Sequence, residues 1–492
     1  MLLNQAGTET LIAQNSSMGS WQLLPYECPI NPVHAALFHT GVVFIIAGSG
    51  NDPDNVEDPA GSAVWKESQG KFDRPTTPLA ADGLPLDIFC VGHSFLSDGR
   101  LICNGGTLQY SPFFGLPASL VFDPTTEEWT DVKSMSHGRW YPTVITLGDG
   151  RVLAVSGLDE NGLLETYQSI YSDATSDWTY FTQPTSELPM YAHLFQLSSG
   201  KIFFSGACFK KTDVLPRILT VPTDHTQPIR EMPVGGLQKA DYVEQAASVL
   251  LPPAQDQKVM IVGGGNDIEG EATNRVNIVD FKSSSPTYKP AAPLNSARMH
   301  HNAVLLPDRT VFVCNGSTKG EDESGATLIP EIYNPATNTW TLAAKASVVR
   351  LYHALALLLP DGRVFTAGSN PDNPEGGTFE EKRLEIYSPP YMSQKRPVIQ
   401  SAPQTVKYGG TITITTGNAR NIKWVSLIKP MATTHGLDTE QRLVDLAIDS
   451  RTSTSLTVTV TRNPNLAPAG WYMLFINDRN SVPSVAKWIH LT

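Results

Sequence analysis

Cysteine is scarce in this chain: five residues in 492 (Cys28, Cys90, Cys103, Cys208 and Cys314), too few and too scattered for a disulfide scaffold. Cys103 and Cys314 fall inside apolar strand patterns, which reads them as inert core thiols. Positive charge is also short. Lys and Arg number 36 against 48 Asp and Glu, a formal net charge of −12, and an acidic chain lacks the basic footprint that a nucleic-acid partner requires. Apolar runs are only strand-length, Val42–Gly48 being typical, so no membrane-crossing segment is expected. The opening MLLNQAGTETLIAQ has neither the basic region nor the long apolar stretch of a secretory signal. What remains, 41% hydrophobic and 17% charged residues, is the composition of a globular protein with a large core, and the length predicts two domains.

What the chain has in abundance is repetition. A turn, a buried strand and a glycine recur as HTGVVFIIAGSG, FLSDGRLICNGG, TLGDGRVLAVSG, QLSSGKIFFSGA, DQKVMIVGGG, LPDRTVFVCNGS and LPDGRVFTAGSN. Aligned on Val42, Arg100, Arg151, Lys201, Lys258, Thr310 and Arg363, the copies recur at the roughly fifty-residue period of kelch-type blades. Asp-Gly turns between apolar strands predict a hairpin at the start of each blade. Most copies continue into a fourth strand bearing Trp129, Trp178 or Trp340, or Tyr288 in the fifth copy. A large ring there suits packing against a neighbouring blade. The seventh copy stops at EIYSPPYM, where two prolines block further pairing, and GSWQLLPY (19–26) is the expected replacement strand. The fold class is therefore all-β, a seven-bladed β-propeller over 1–393 with its N-terminal strand closing the last blade. Short alternating strands after Tyr391 predict an immunoglobulin-like β-sandwich over 394–492.

Counting back ten residues from the post-turn position reaches Cys90, Tyr141, Tyr191, His300 and His353, with Tyr352 beside the last. We read these as the first residues of innermost strands, lining the propeller axis. Taken singly, each has an ordinary reading: Cys90 a buried thiol, Tyr141 next to Trp140 a packing ring, Tyr352-His353 a core pair. Together at one level of the ring they form a set of thiol, phenol and imidazole groups. Phenol oxygen with imidazole nitrogen suits Cu(II), whereas structural zinc favours several thiolates.

These motifs resemble the galactose oxidase and glyoxal oxidase family of copper-radical oxidases. DIFCVGHSFLSDGR matches its cysteine at Cys90, GRWYPTVITLGDGR its cross-linked tyrosine at Tyr141, and VRLYHALALLLPDGRVF its axial tyrosine and adjacent histidine at Tyr352 and His353. MATTHGLDTEQR in the C-terminal domain matches the remaining ligand at His435. The resemblance implies a copper ion held by Tyr141, Tyr352, His353 and His435, and a Cys90–Tyr141 thioether serving as a protein-derived radical cofactor. It implies an enzyme oxidising a small aldehyde or primary alcohol, with Tyr352 as base and dioxygen leaving as hydrogen peroxide. The GRWYPT wording is closer to the glyoxal oxidase branch, and SGLDENG with Asp159 stands where galactose oxidases carry a tryptophan over the cross-link. Monomeric state and an extracytoplasmic or secreted location are further expectations from the family. The alternative is a non-catalytic kelch propeller binding a glycan or protein. Tyr191, His193, His300 and His301 face the channel by repeat position, with either substrate contact or packing as their role.

Overall fold

The computed structural model describes residues 17–80, 82–266, 270–371 and 379–492. Seven sheets surround one axis. Their innermost strands are His34–Leu37, Gly92–Phe95, Thr143–Thr146, Leu194–Gln196, Ala247–Leu250, Met299–Leu305 and Leu355–Leu358. All are buried along their whole length, because each packs on two neighbouring blades. Ser20–Glu27 forms the outermost strand of the seventh blade, antiparallel to Arg383–Ser388 with Trp21 opposite Tyr387. Ring closure therefore joins the two ends of the propeller by backbone hydrogen bonds and leaves no open blade edge at the seam.

Three tryptophans of the outer strands repeat one contact. The indole N–H of Trp178 donates to Lys133 O (2.9 Å), that of Trp340 to Ala292 O (2.8 Å) and that of Trp21 to Ala344 O (2.7 Å). In each case the acceptor follows the outer strand of the preceding blade. The N-terminal strand thus supplies the seventh blade with the tryptophan its own sequence lacks. Aromatic stacking continues the contact between sheets, as in Phe44–Phe122 (3.9 Å), Phe312–Tyr387 (4.5 Å) and, across the closure, Trp65–Phe365 (4.6 Å).

Beyond the propeller, strands from Ile399 to Leu491 pair into two layers that share the long strand Leu443–Arg451, antiparallel except where Thr405–Val406 runs parallel to Lys487–Leu491. The segment between Ile422–Ile428 and Leu443–Arg451 leaves this domain and enters the propeller channel. There Ala432–Thr434 pairs antiparallel with the inner strand of the first blade, His34 opposite Thr434, and folds back on Leu437–Asp438. Innermost strands expose unpaired backbone groups to the channel, and this segment satisfies them with side chains. Glu440 accepts from Phe95 N (3.3 Å), Gln441 accepts from Leu305 N (2.7 Å) and donates to Leu305 O (3.1 Å), and Thr439 donates to Val144 O (2.9 Å). The inserted segment is therefore held by at least three blades besides the one it pairs with.

Candidate metal centre

Six equivalent corners carry the candidate residues, and all six take left-handed backbone: Cys90 (φ 62°), Tyr141 (61°), Tyr191 (47°), Gln245 (52°), His300 (56°) and His353 (62°). Side-chain-bearing residues rarely adopt this region. The corners are stitched in sequence, Tyr141 N donating to Cys90 O (3.1 Å), Tyr191 N to Tyr141 O (3.0 Å) and His300 N to Gln245 O (3.0 Å). This corrects one expectation: the candidates precede the innermost strands, which begin two or more residues later except at Met299–Leu305, and the reversed turn aims them at the axis. Gln245 escaped the ten-residue count because the hairpin turn of its blade is longer, extended through Pro252, Pro253 and a short 3-10 turn at Ala254–Asp256.

His435 arrives from the opposite direction. It and Gly436 are the two central residues of the hairpin turn, with φ of 50° and 76°, and Thr434 pairs with Leu437 across them. A two-residue hairpin turn requires positive φ at such positions, which glycine supplies without strain. A Cβ at position 436 would also stand 2.8 Å from His301 O.

The five side chains converge. Tyr141 and Tyr352 hydroxyls are 2.5 Å apart, and His435 Nε2 lies 3.0 Å from the Tyr141 hydroxyl. The His353 ring stacks on Tyr352 at 3.7 Å and stands perpendicular to His435 at 4.5 Å. Cys90 Sγ and one nitrogen each of His353 and His435 lie within 4.8 Å of one another. The thiol also interacts with the Tyr141 side chain. Tyr352, 9% exposed, is the most accessible of the five, against 0% for Cys90 and Tyr141. It marks the side from which solvent reaches the site.

Hydrogen bonding selects one tautomer for both histidines. Asn370 Nδ2 donates to Phe379 O (2.7 Å), which orients its amide so that Oδ1 faces His353 Nδ1 at 2.6 Å; Asn31 Nδ2 also donates to that oxygen (2.8 Å). An amide oxygen only accepts, so His353 Nδ1 carries the proton. Among the described residues its Nε2 has no hydrogen-bond partner. Thr434 Oγ1 donates its single proton to Val33 O (3.0 Å) and so accepts from His435 Nδ1 (2.6 Å). Both Nε2 lone pairs are thereby free to face the site. Burial dominates the electrostatics: it holds His353 down at about 3 and His435 well below the usual imidazole range, and pushes Tyr141, Tyr352 and the Cys90 thiol well above theirs. Two unprotonated nitrogens and two phenol oxygens converge here, a donor set that fits a copper ion.

Tyr191 packs on Tyr141 (4.5 Å) and His435 (4.9 Å), but its hydroxyl is engaged by Val91 O (2.9 Å). His300 stands edge-on to Tyr352 at 5.6 Å. His193 points away from the corners, its Nδ1 meeting Ser248 Oγ at 2.9 Å, and His301 is fully buried. Two groups escaped the sequence reading. Phe209 lies 4.5 Å from Tyr141 and stacks on Tyr352 at 6.0 Å. Tyr110, Phe113 and Trp140 form an aromatic file, with Phe113 on Trp140 at 4.2 Å and Trp140 on Tyr141 at 4.0 Å. Tyr110 and Phe113 belong to a small hairpin (Thr107–Gln109 with Phe114–Gly115) inserted in the second blade, outside the repeat pattern. Asp159 is spent on its own turn, accepting from Asn161 N and Leu163 N (both 2.8 Å).

Comparison with known proteins agrees with this geometry. Residues 71–391 match the family described as glyoxal oxidase N-terminus, and residues 396–491 match the galactose oxidase-like early set domain. The chain belongs to this family of copper-radical oxidases. Among its relatives is a galactose oxidase of Gibberella zeae, 27% identical over all of this chain and 73% of that protein. Another is the aldehyde oxidase GLOX1 of Arabidopsis thaliana, 24% identical over 96% of this chain and 84% of the relative. A solved structure described as a novel fungal alcohol oxidase of the AA5 family, in complex with copper, superposes with a TM-score of 0.80. That match has 25% identity and covers 96% of this chain and all of the other.

Proposed function

We propose that this protein oxidises a small aldehyde or simple primary alcohol by two electrons, with dioxygen as acceptor and hydrogen peroxide as product. The observation that supports it most is the convergence of Tyr141, Tyr352 and His435 within hydrogen-bonding distance, from two blades and a second domain. Tyr141, Tyr352, His353 and His435 would hold copper, whose contribution when bound is to be the second one-electron acceptor, which the side chains alone do not provide.

Cys90 and Tyr141 would form the first acceptor. Joining Sγ to a ring carbon breaks one S–H and one C–H bond and releases two electrons and two protons, which dioxygen accepts. The thioether makes the phenoxyl radical on Tyr141 easier to form. In turnover Tyr352 takes the substrate hydroxyl proton and Tyr141 a hydrogen atom from the adjacent carbon. Two electrons and two protons leave each alcohol, or each aldehyde as its hydrate, and convert one dioxygen to hydrogen peroxide. The wall of Trp140, Phe113, Tyr110 and Phe209 offers rings and no charge, which favours a compact, weakly polar substrate over a sugar.

Copper reconstitution in air tests this reading. Peroxide release with short aldehydes or alcohols, together with a mass lower by about two hydrogens in the peptide pair containing Cys90 and Tyr141, is expected. Copper-loaded protein that releases no peroxide with any such substrate would overturn it.

A further inference from the structure

Behind the five-residue centre the channel holds two more imidazoles. His34 begins the innermost strand of the first blade and His93 lies in that of the second. Their rings stand 5.2 Å apart at 73°, and His34 is 6.2 Å from His435. Both are buried, His34 completely. Among the described residues neither ring nitrogen of His34 has a hydrogen-bond partner, and the ring of His93 meets at most its own backbone. An orphaned buried polar atom is destabilising, and here two imidazoles that carry such atoms stand side by side on adjacent inner strands. Ser94, one residue on, is by contrast bonded to both Thr146 and Glu440.

We propose that His34 and His93 form a second metal site, distinct from the Tyr141 centre, that takes a soft monovalent ion, Cu(I). Three features select this ligand. The donors are two imidazoles, and whichever tautomer each adopts, one nitrogen keeps a lone pair. The carboxylate that acts on His93, Glu440, is already paired with Lys429, so a monovalent ion leaves less uncompensated charge in this buried space than a divalent one. With metal–imidazole bonds of about 2 Å, rings at this separation can share one ion in a bent two-coordinate arrangement.

The site is measurable without catalysis. Full-length protein is titrated with Cu(I) under anaerobic conditions against a competing chromogenic chelator. Two tightly held equivalents are expected, one of which is lost when His34→Phe and His93→Phe are combined. The other should be lost in His435→Ala, which leaves the His34–His93 equivalent in place, so failure of the second site and failure of the oxidase centre give different stoichiometries. Because the paired substitution alters two buried side chains at a blade seam, Ag(I) added to unaltered, 15N-histidine-labelled protein gives an independent readout: ring-nitrogen shifts at His34 and His93 are expected. A single equivalent in the unaltered protein, a second equivalent that survives the double substitution, or silver that leaves both rings unshifted would each overturn the proposal.

Discussion

Asn370 touches no candidate substrate or ion, yet it decides which nitrogen of His353 can bind one. Its amide oxygen accepts from Nδ1 and is itself fixed by Asn31 and by Phe379 O. Outer partners of metal-binding histidines typically contribute 10–100-fold in affinity. Asn370→Leu is therefore expected to weaken copper binding by about that factor, and Asn370→Asp, which keeps the acceptor, to restore most of it; competition titration decides. At Cys90, substitution by Ser should abolish the mass loss and lower peroxide formation by at least about 10³-fold, since residues acting as one unit fail together, while the unfolding midpoint stays close to that of the parent. Tyr352→Phe should lower kcat by about 10²–10⁴-fold, the range of a lost general base, with the Cys90–Tyr141 bond still formed. Cys90, Tyr141 and His353 were legible because each sits at the same place in its own repeat. Gln245 was not, since extra residues in its hairpin shift the count, and Phe209, Tyr110 and Phe113 were not, since they lie on loops that no repeat constrains.

The element that completes the centre is the segment from Lys429 to Arg442, and its anchoring is ionic as well as backbone-mediated. Lys429 and Glu440 form a buried ion pair, and Glu440 also accepts from Ser94 and Thr146. Removing one partner of such a pair costs about 3–5 kcal/mol because the other charge is stranded, whereas an apolar pair of similar size can be neutral. Glu440→Gln is expected to lower the denaturant-unfolding free energy by about that amount, and Lys429→Met with Glu440→Leu by clearly less. The THGL wording of the hairpin was readable as a tight turn once its pairing was known. Its alignment with the first blade was not, because an inserted hairpin has no periodicity relating it to the strand it joins.

For the whole molecule, the channel concentrates buried, uncharged histidines, and this sets an acid limit on stability. His193 is held down at about 3 by burial. Its folded value lies below the unfolded one, so the unfolded state gains a proton first, and stability falls as pH drops from about 6.5 toward 3, by about 1.4 kcal/mol per pH unit for this one group. His193→Gln should flatten the decline over that window by the same slope, as read from denaturant unfolding at several pH values.

Period, turn chemistry and the prolines after Tyr387 determined a closed seven-bladed ring and its N-terminal closing strand, because blades are local units whose pattern is written in contiguous residues. Repeat equivalence likewise placed Cys90, Tyr141 and His353 at one level of that ring. Only the tertiary structure decided the left-handed corners that turn these side chains inward, the tautomers set by Asn370 and Thr434, the aromatic wall, and the meeting of His34 with His93. Those depend on distances between residues far apart in the chain, and such distances exist only once the ring has closed and the C-terminal hairpin has entered it.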